Sequence, residues 1–200
     1  MTLALIDYGA GNLHSVHNAL KAAGAEDVVV TGDPAVVRSA DRVVLPGVGA
    51  FAACAGGLRA VDGMVDALES RVLKDAVPFL GVCVGMQLMA TAGEEFGRHR
   101  GLGWIKGTVR ALEPGAGVRV PHMGWNDVMP VADQPLIVPG EAYFLHSYAF
   151  DGDDILAVTD HGGPITAAIG RDNMLGVQFH PEKSQRFGLA LLERFLAWRP

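Results

Sequence analysis

The residues with the clearest chemical potential lie in Gly81-Val82-Cys83-Val84-Gly85, a cysteine framed by a glycine two positions away on either side. An apolar run from Pro78 to Val82 precedes the cysteine, and the helical-looking stretch Met86, Leu88, Met89 and Ala90 follows it, so the segment reads as a strand turning sharply into a helix. Such a turn strains the backbone of its central residue and leaves no room for neighbouring side chains, which accounts for both glycines. The thiol then stands above a sheet edge. There the N-terminal amides and dipole of the helix favour a thiolate and can hold a developing oxyanion. A small buried cysteine has the same composition; the glycine frame sets Cys83 apart. Cys54, in Ala53-Cys54-Ala55 without such a frame, reads as a small core residue.

A cysteine nucleophile needs a base to take its proton and return it to the leaving group, and the base needs a third group to fix its tautomer. His180-Pro181-Glu182 supplies both. It follows the strand-like run Leu175 to Phe179, and Pro181 predicts an extended segment in which Glu182 shares a face with His180 and accepts its far N–H. A second glycine loop, Pro46-Gly47-Val48-Gly49-Ala50-Phe51, ends the run Val43 to Leu45. It lacks the lysine, serine and spacing of a phosphate loop, and its backbone can instead turn an amide toward an oxyanion. The other histidines have no such companion and read as surface or structural residues. His146 stands out among them because Tyr143-Phe144-Leu145-His146-Ser147-Tyr148 mixes apolar bulk with polar tips, as ligand walls do and as packed strands also do.

The elements that must position these groups follow one phrase in the first half: a short aliphatic run, glycine punctuation, then a helical pattern. Strands are expected at Leu3 to Asp7, Val28 to Thr31, Val43 to Leu45 and Pro78 to Val82, with a helix at Leu13 to Ala23, which predicts a parallel sheet with flanking helices. From Trp104 onward, short alternating runs such as Ile155 to Thr159, Ile165 to Gly170 and Met174 to Phe179 suggest antiparallel strands, before a closing helix from about Phe187 to Trp198. The expected architecture is a single α/β domain over residues 1–200 with an added antiparallel portion. Its 200 residues are half apolar, ample for one packed core. A net charge of −6 without any Lys/Arg run argues against nucleic-acid partners. The N-terminal run carries no basic leader and breaks at Asp7, so no signal peptide or membrane span is read there and a cytoplasmic location is expected. Two cysteines in unrelated contexts fit neither a disulfide scaffold nor a zinc motif, so no metal or cofactor is expected.

Taken together, these motifs resemble the class I (triad) glutamine amidotransferases, and within them the branch that serves imidazole glycerol phosphate synthesis in histidine biosynthesis. The resemblance spans the chain. Beside the elbow and His180-Pro181-Glu182-Lys183-Ser184, it is carried by Ile6-Asp7-Tyr8-Gly9-Ala10-Gly11-Asn12, by the Pro46 to Phe51 loop, and by Pro121-His122-Met123-Gly124-Trp125-Asn126. Val82 and Val84 stand where that branch is expected to carry Ile and Leu. The resemblance implies a flavodoxin-like three-layer fold, a triad of Cys83, His180 and Glu182, and glutamine held near Gln87, Glu95 and Gly49 and by the Ser147-Tyr148 backbone. It implies an oxyanion site from the Val84 amide and, after a flip of the Gly47-Val48-Gly49 strand, the Val48 amide, with Gly49 beside it. It further implies that Asn12, Trp125, Tyr143 and Lys183 face a (β/α)8-barrel cyclase in a heterodimer, and that glutaminase activity stays weak until that partner and its nucleotide ligand are bound. Three rival readings stand beside it: the glutaminase of another amidotransferase pathway, a stand-alone cysteine γ-glutamyl hydrolase, and a binding subunit without catalysis.

Overall fold

The computed structural model describes residues 1–115 and 118–200. In chain order its elements are β1 (Thr2–Ile6), α1 (Leu13–Ala22), β2 (Asp27–Thr31), α2 (Pro34–Ser39), β3 (Arg42–Gly47), α3 (Phe51–Ala60), α4 (Met64–Leu68), β4 (Phe79–Cys83) and α5 (Val84–Gln87). There follow β5 (Ala90–Gly93), β6 (His99–Arg100), β7 (Ile105–Ala111), β8 (His122–Pro130), β9 (Gly140–His146), β10 (Tyr148–Gly152), β11 (Ile155–Asp160), β12 (Pro164–Arg171), β13 (Met174–Val177) and α6 (Gln185–Ala197). A π-helical turn, Glu69–Lys74, extends α4.

One large sheet runs β2-β1-β3-β4-β13-β12-β11-β8-β9. Its first five strands pair in parallel, in the order of a flavodoxin-like doubly wound sheet. The β1, β3 and β4 runs are buried on both faces, which is why they read as continuous aliphatic stretches rather than alternating ones. Right-handed crossovers put α1 on one face of the sheet and α2, α3 and α4 on the other, because the chain moves outward to β2 and then reverses direction. The carboxyl ends of β3, β4 and β13 therefore meet at one edge, beside the point where strand order reverses. From β12 the same sheet continues antiparallel to β9, and a second sheet, β10-β7-β5-β6, lies apart from it.

Three local expectations need correction. The helix after the elbow is a single turn that stops at Gln87, and Ala90 already belongs to β5. Tertiary pairing decides this: the Leu88 carbonyl accepts from the Leu102 amide, and the Met89 carbonyl from the Trp104 and Ile105 amides, so these groups serve a sheet instead of a helix. The run from Met174, expected among antiparallel strands, is antiparallel only to β12; it is parallel to β4 and forms the seam between the two halves of the sheet. Finally, His180 is extended, but Pro181 does not hold the next residues extended. It opens a 3-10 turn, Pro181–Lys183, its fixed φ and missing N–H suiting a first helical position.

Candidate active site

The elbow forms because three backbones meet with no side chain between them. Cys83 closes β4 with φ 54 and ψ −112, a strained conformation for a residue with a side chain. A Cβ on Gly85 would lie 1.9 Å from the Leu45 carbonyl oxygen, and one on Gly81 would lie 2.7 Å from the Gly85 carbonyl oxygen. Only glycine at these two positions lets α5 seat against β3 and β4. The turn aims Cys83 into a cavity of about 310 Å³ whose lining includes Val48, Gly49, Val84, Gln87, Glu95, Ser147, Tyr148, His180 and Lys183. All the expected nucleophile, oxyanion and substrate positions thus share one cavity with His180.

His180 arrives from the same direction, three residues past the end of β13, the strand that pairs in parallel with β4. Its amide donates to the Tyr143 carbonyl and its carbonyl accepts from Ser184 Oγ, so the ring is anchored on both sides. Nδ1 lies 2.9 Å from Glu182 Oε1, and both side chains are almost wholly buried. With Nδ1 taken by the carboxylate, Nε2 is left for the sulfur. Burial alone depresses an imidazole, yet His180 is raised to about 9, because the sulfur of Cys83, by hydrogen bond and charge, and the carboxylate of Glu182 both stabilise its protonated form. The arrangement is an acid–base pair with an orienting carboxylate.

Gln178, which sequence reasoning passed over, points its Nε2 at Cys83 Sγ across 3.7 Å. Its Oε1 accepts from Gln87 Nε2 at 3.0 Å, and Gln87 Nε2 also donates to the Tyr148 carbonyl at 3.1 Å. Gln87 therefore braces the pocket wall. The detectable signal was position: two residues before His180, in the bend that follows β13, Gln178 reaches the same edge of the sheet. Glu95 Oε2 accepts from the Phe51 amide at 2.6 Å, capping α3 from the cavity side, where a carboxylate suits the helix dipole. Cys54 is buried in α3, as expected, and its thiol, held protonated by burial, donates to the Val48 carbonyl at 3.3 Å.

Trp125, 48% exposed, lies edge-on to the Tyr143 ring, and Lys183 Nζ sits 5.9 Å from the centre of that ring, so these three join the cavity to the outer face of β8. Asn12 caps α1 by accepting from the Ser15 amide, and α1 packs against the Pro181–Lys183 turn that carries Lys183.

This geometry coincides with a family match. The model for glutamine amidotransferase class-I matches residues 4–198. The chain belongs to the class-I glutamine amidotransferase family. As an amidotransferase it is 61% identical to the imidazole glycerol phosphate synthase subunit HisH of Zymomonas mobilis, over all of this chain and 97% of that protein. It is 53% identical to the subunit of the same name from Rhodospirillum rubrum, over the full length of both. A crystal structure of a glutamine amidotransferase superposes with a TM-score of 0.76 over 98% of each chain at 19% identity, a likeness of fold.

Proposed function

We propose that this amidotransferase is the glutaminase subunit of an imidazole glycerol phosphate synthase, acting as one domain over residues 1–200 with Cys83, His180 and Glu182 as its triad. The observation that carries the assignment of roles is the meeting of an elbow cysteine with a carboxylate-oriented imidazole in one cavity. The Cys83 thiolate attacks the carboxamide carbon of glutamine, the carbonyl oxygen takes the negative charge, and the Val84 amide and the Val48–Gly49 backbone stabilise it. His180 gives its proton to the departing nitrogen, and ammonia leaves a γ-glutamyl thioester on the sulfur. Water, deprotonated by His180, then attacks the thioester; glutamate leaves and the thiol is restored. Glu182 keeps Nδ1 protonated throughout. Gln87, Glu95 and the Ser147-Tyr148 backbone form the wall that holds glutamine.

The ammonia passes to a (β/α)8-barrel cyclase in a heterodimer. Met123 and Trp125, exposed on the outer face of β8 and continuous with Tyr143 and Lys183 at the cavity, supply an apolar docking surface, and Asn12, at the start of the helix packed against the Pro181–Lys183 turn, faces the partner beside them. A full-length likeness to subunits so named supports this partner over a stand-alone hydrolase or another pathway. The place of action is the cytoplasm; among the described residues no helix is long and apolar enough to cross a membrane. The test is Cys83→Ala in the assembled synthase. Glutamine-dependent turnover should disappear while turnover on added ammonium salts persists; loss of both, or survival of the first, would refute the assignment.

A further inference from the structure

A second polar chain, separate from the triad, ends at the same cavity. β8 and β9 pair with His122 opposite His146. Asn126 Nδ2 lies 3.0 Å from His122 Nε2, His122 Nδ1 lies 3.0 Å from His146 Nε2, and His146 Nδ1 lies 2.9 Å from the Tyr148 carbonyl. The proton positions are determined at both ends. Asn126 Oδ1 accepts from the Asp127 amide and Nδ2 also donates to the Asp160 carbonyl, so the nitrogen faces His122. A backbone carbonyl only accepts. Each imidazole between them must therefore carry its proton on Nδ1 and leave Nε2 bare. Burial keeps both rings neutral, holding His122 down to about 4 and His146 to about 3. The geometry is packed as well as bonded, since His122 is stacked between Phe144 and His161, and His161 Nε2 donates to the Arg119 carbonyl.

The chain does not stop at Tyr148. Its carbonyl also accepts from Gln87, which is bonded to Gln178, which reaches the sulfur of Cys83. The one fixed backbone group common to both branches is the Tyr148 carbonyl. We propose that Asn126, His122 and His146 are positioning residues which, through this carbonyl, set the Ser147-Tyr148 wall against which glutamine is held. The proposal rests on the assignment of this cavity to glutamine. Both nitrogens of each ring are occupied, so neither histidine serves as an acid or base and both act through the backbone they hold.

The test uses the chain assembled with its cyclase partner. His146→Leu removes the donor to Tyr148 and should raise KM for glutamine about tenfold, the usual scale of a lost buried hydrogen bond, with a smaller change in kcat. Turnover on ammonium salts should be unaltered. His146→Asn, whose amide nitrogen falls near the position of Nδ1, should recover most of the lost affinity. A purely structural role would lower kcat through a smaller active fraction, leave KM unmoved, and give Asn no advantage over Leu; that outcome overturns the proposal. Independently of any variant, long-range proton–nitrogen NMR correlations of the wild-type chain at neutral pH should show Nδ1–H with bare Nε2 on both His122 and His146. An Nε2–H on either ring would also overturn it. Failure of the underlying glutamine assignment would look different, as wild-type glutamine turnover that survives Cys83→Ala.

Discussion

Replacing Glu182 by Gln keeps the size and hydrogen-bonding reach of the side chain and removes only its charge, from a site where both partners are almost fully buried. In the wild type His180 is raised from 6.5 to about 9 against the opposing effect of burial. At about 1.4 kcal/mol per tenfold, that rise corresponds to about 3 kcal/mol of preferential stabilisation of the imidazolium. Cys83 and Glu182 share it. If Glu182 supplies half, its loss makes the thiolate–imidazolium pair about tenfold less populated near neutrality. The assay is alkylation of Cys83 by iodoacetamide across pH, with the modified site assigned by mass spectrometry, since Cys54 is buried and bonded to Val48. The variant should react about tenfold more slowly at neutral pH and approach the wild type in alkaline buffer, where a thiol ionises unaided. Stability gives a second readout with a definite sign. A folded pKa above the unfolded one contributes stability that is complete below about pH 6.5 and vanishes as pH rises through about 9. The gap in urea stability between wild type and Glu182→Gln should therefore be widest in mild acid and close in that window. Identical alkylation profiles for the two proteins would refute the orienting role of the carboxylate.

Other outcomes follow from the same geometry. His146 is held down to about 3, so an unfolded histidine takes up a proton that the folded one refuses, and stability should fall as pH drops from about 6.5 toward 3. At about pH 5 the loss from His146 alone is about 2 kcal/mol, readable as a lower urea midpoint and absent in His146→Leu. Gly85→Ala would drive a Cβ to within 1.9 Å of the Leu45 carbonyl oxygen, and should destabilise the fold by about 3 kcal/mol and slow Cys83 alkylation; a wild-type melting curve would contradict the elbow packing. Trp125→Asp alters a half-exposed side chain, so the isolated chain should melt unchanged while co-purification of the barrel partner is lost; retained co-purification would move the docking surface elsewhere.

The elements that read most clearly in the sequence are those whose local pattern and tertiary role agree. β1, β3 and β4 are buried on both faces, so their aliphatic runs could be little else, and the glycines at 81 and 85 mark a backbone contact that any side chain would break. The stretch from Leu88 to Ala90 reads as helix because its residues are apolar and unbranched, but its carbonyls are claimed by Leu102, Trp104 and Ile105, which no local window contains. Gln178 escaped notice, and the pairing of His122 with His146 was illegible although His146 itself stood out, for a related reason. A glutamine in an apolar run and a histidine in each of two strands acquire meaning only when pairing sets His122 against His146 and β13 against β4.

The sequence alone determined the chemistry available to this chain: a strained cysteine turn, an imidazole with a carboxylate two residues on, and the family those motifs resemble. These are short-range facts, written in spacing and in the absence of side chains at two glycines. The tertiary structure decided how they meet. It brought β13 alongside β4 so that His180 and Cys83 open into one cavity, raised the imidazole against the opposing effect of burial by setting it beside a sulfur and a carboxylate, and ran a chain of neutral histidines to the wall of that cavity. Those results depend on pairing register and on exclusion of water, which arise between segments far apart in the chain and only after it has folded.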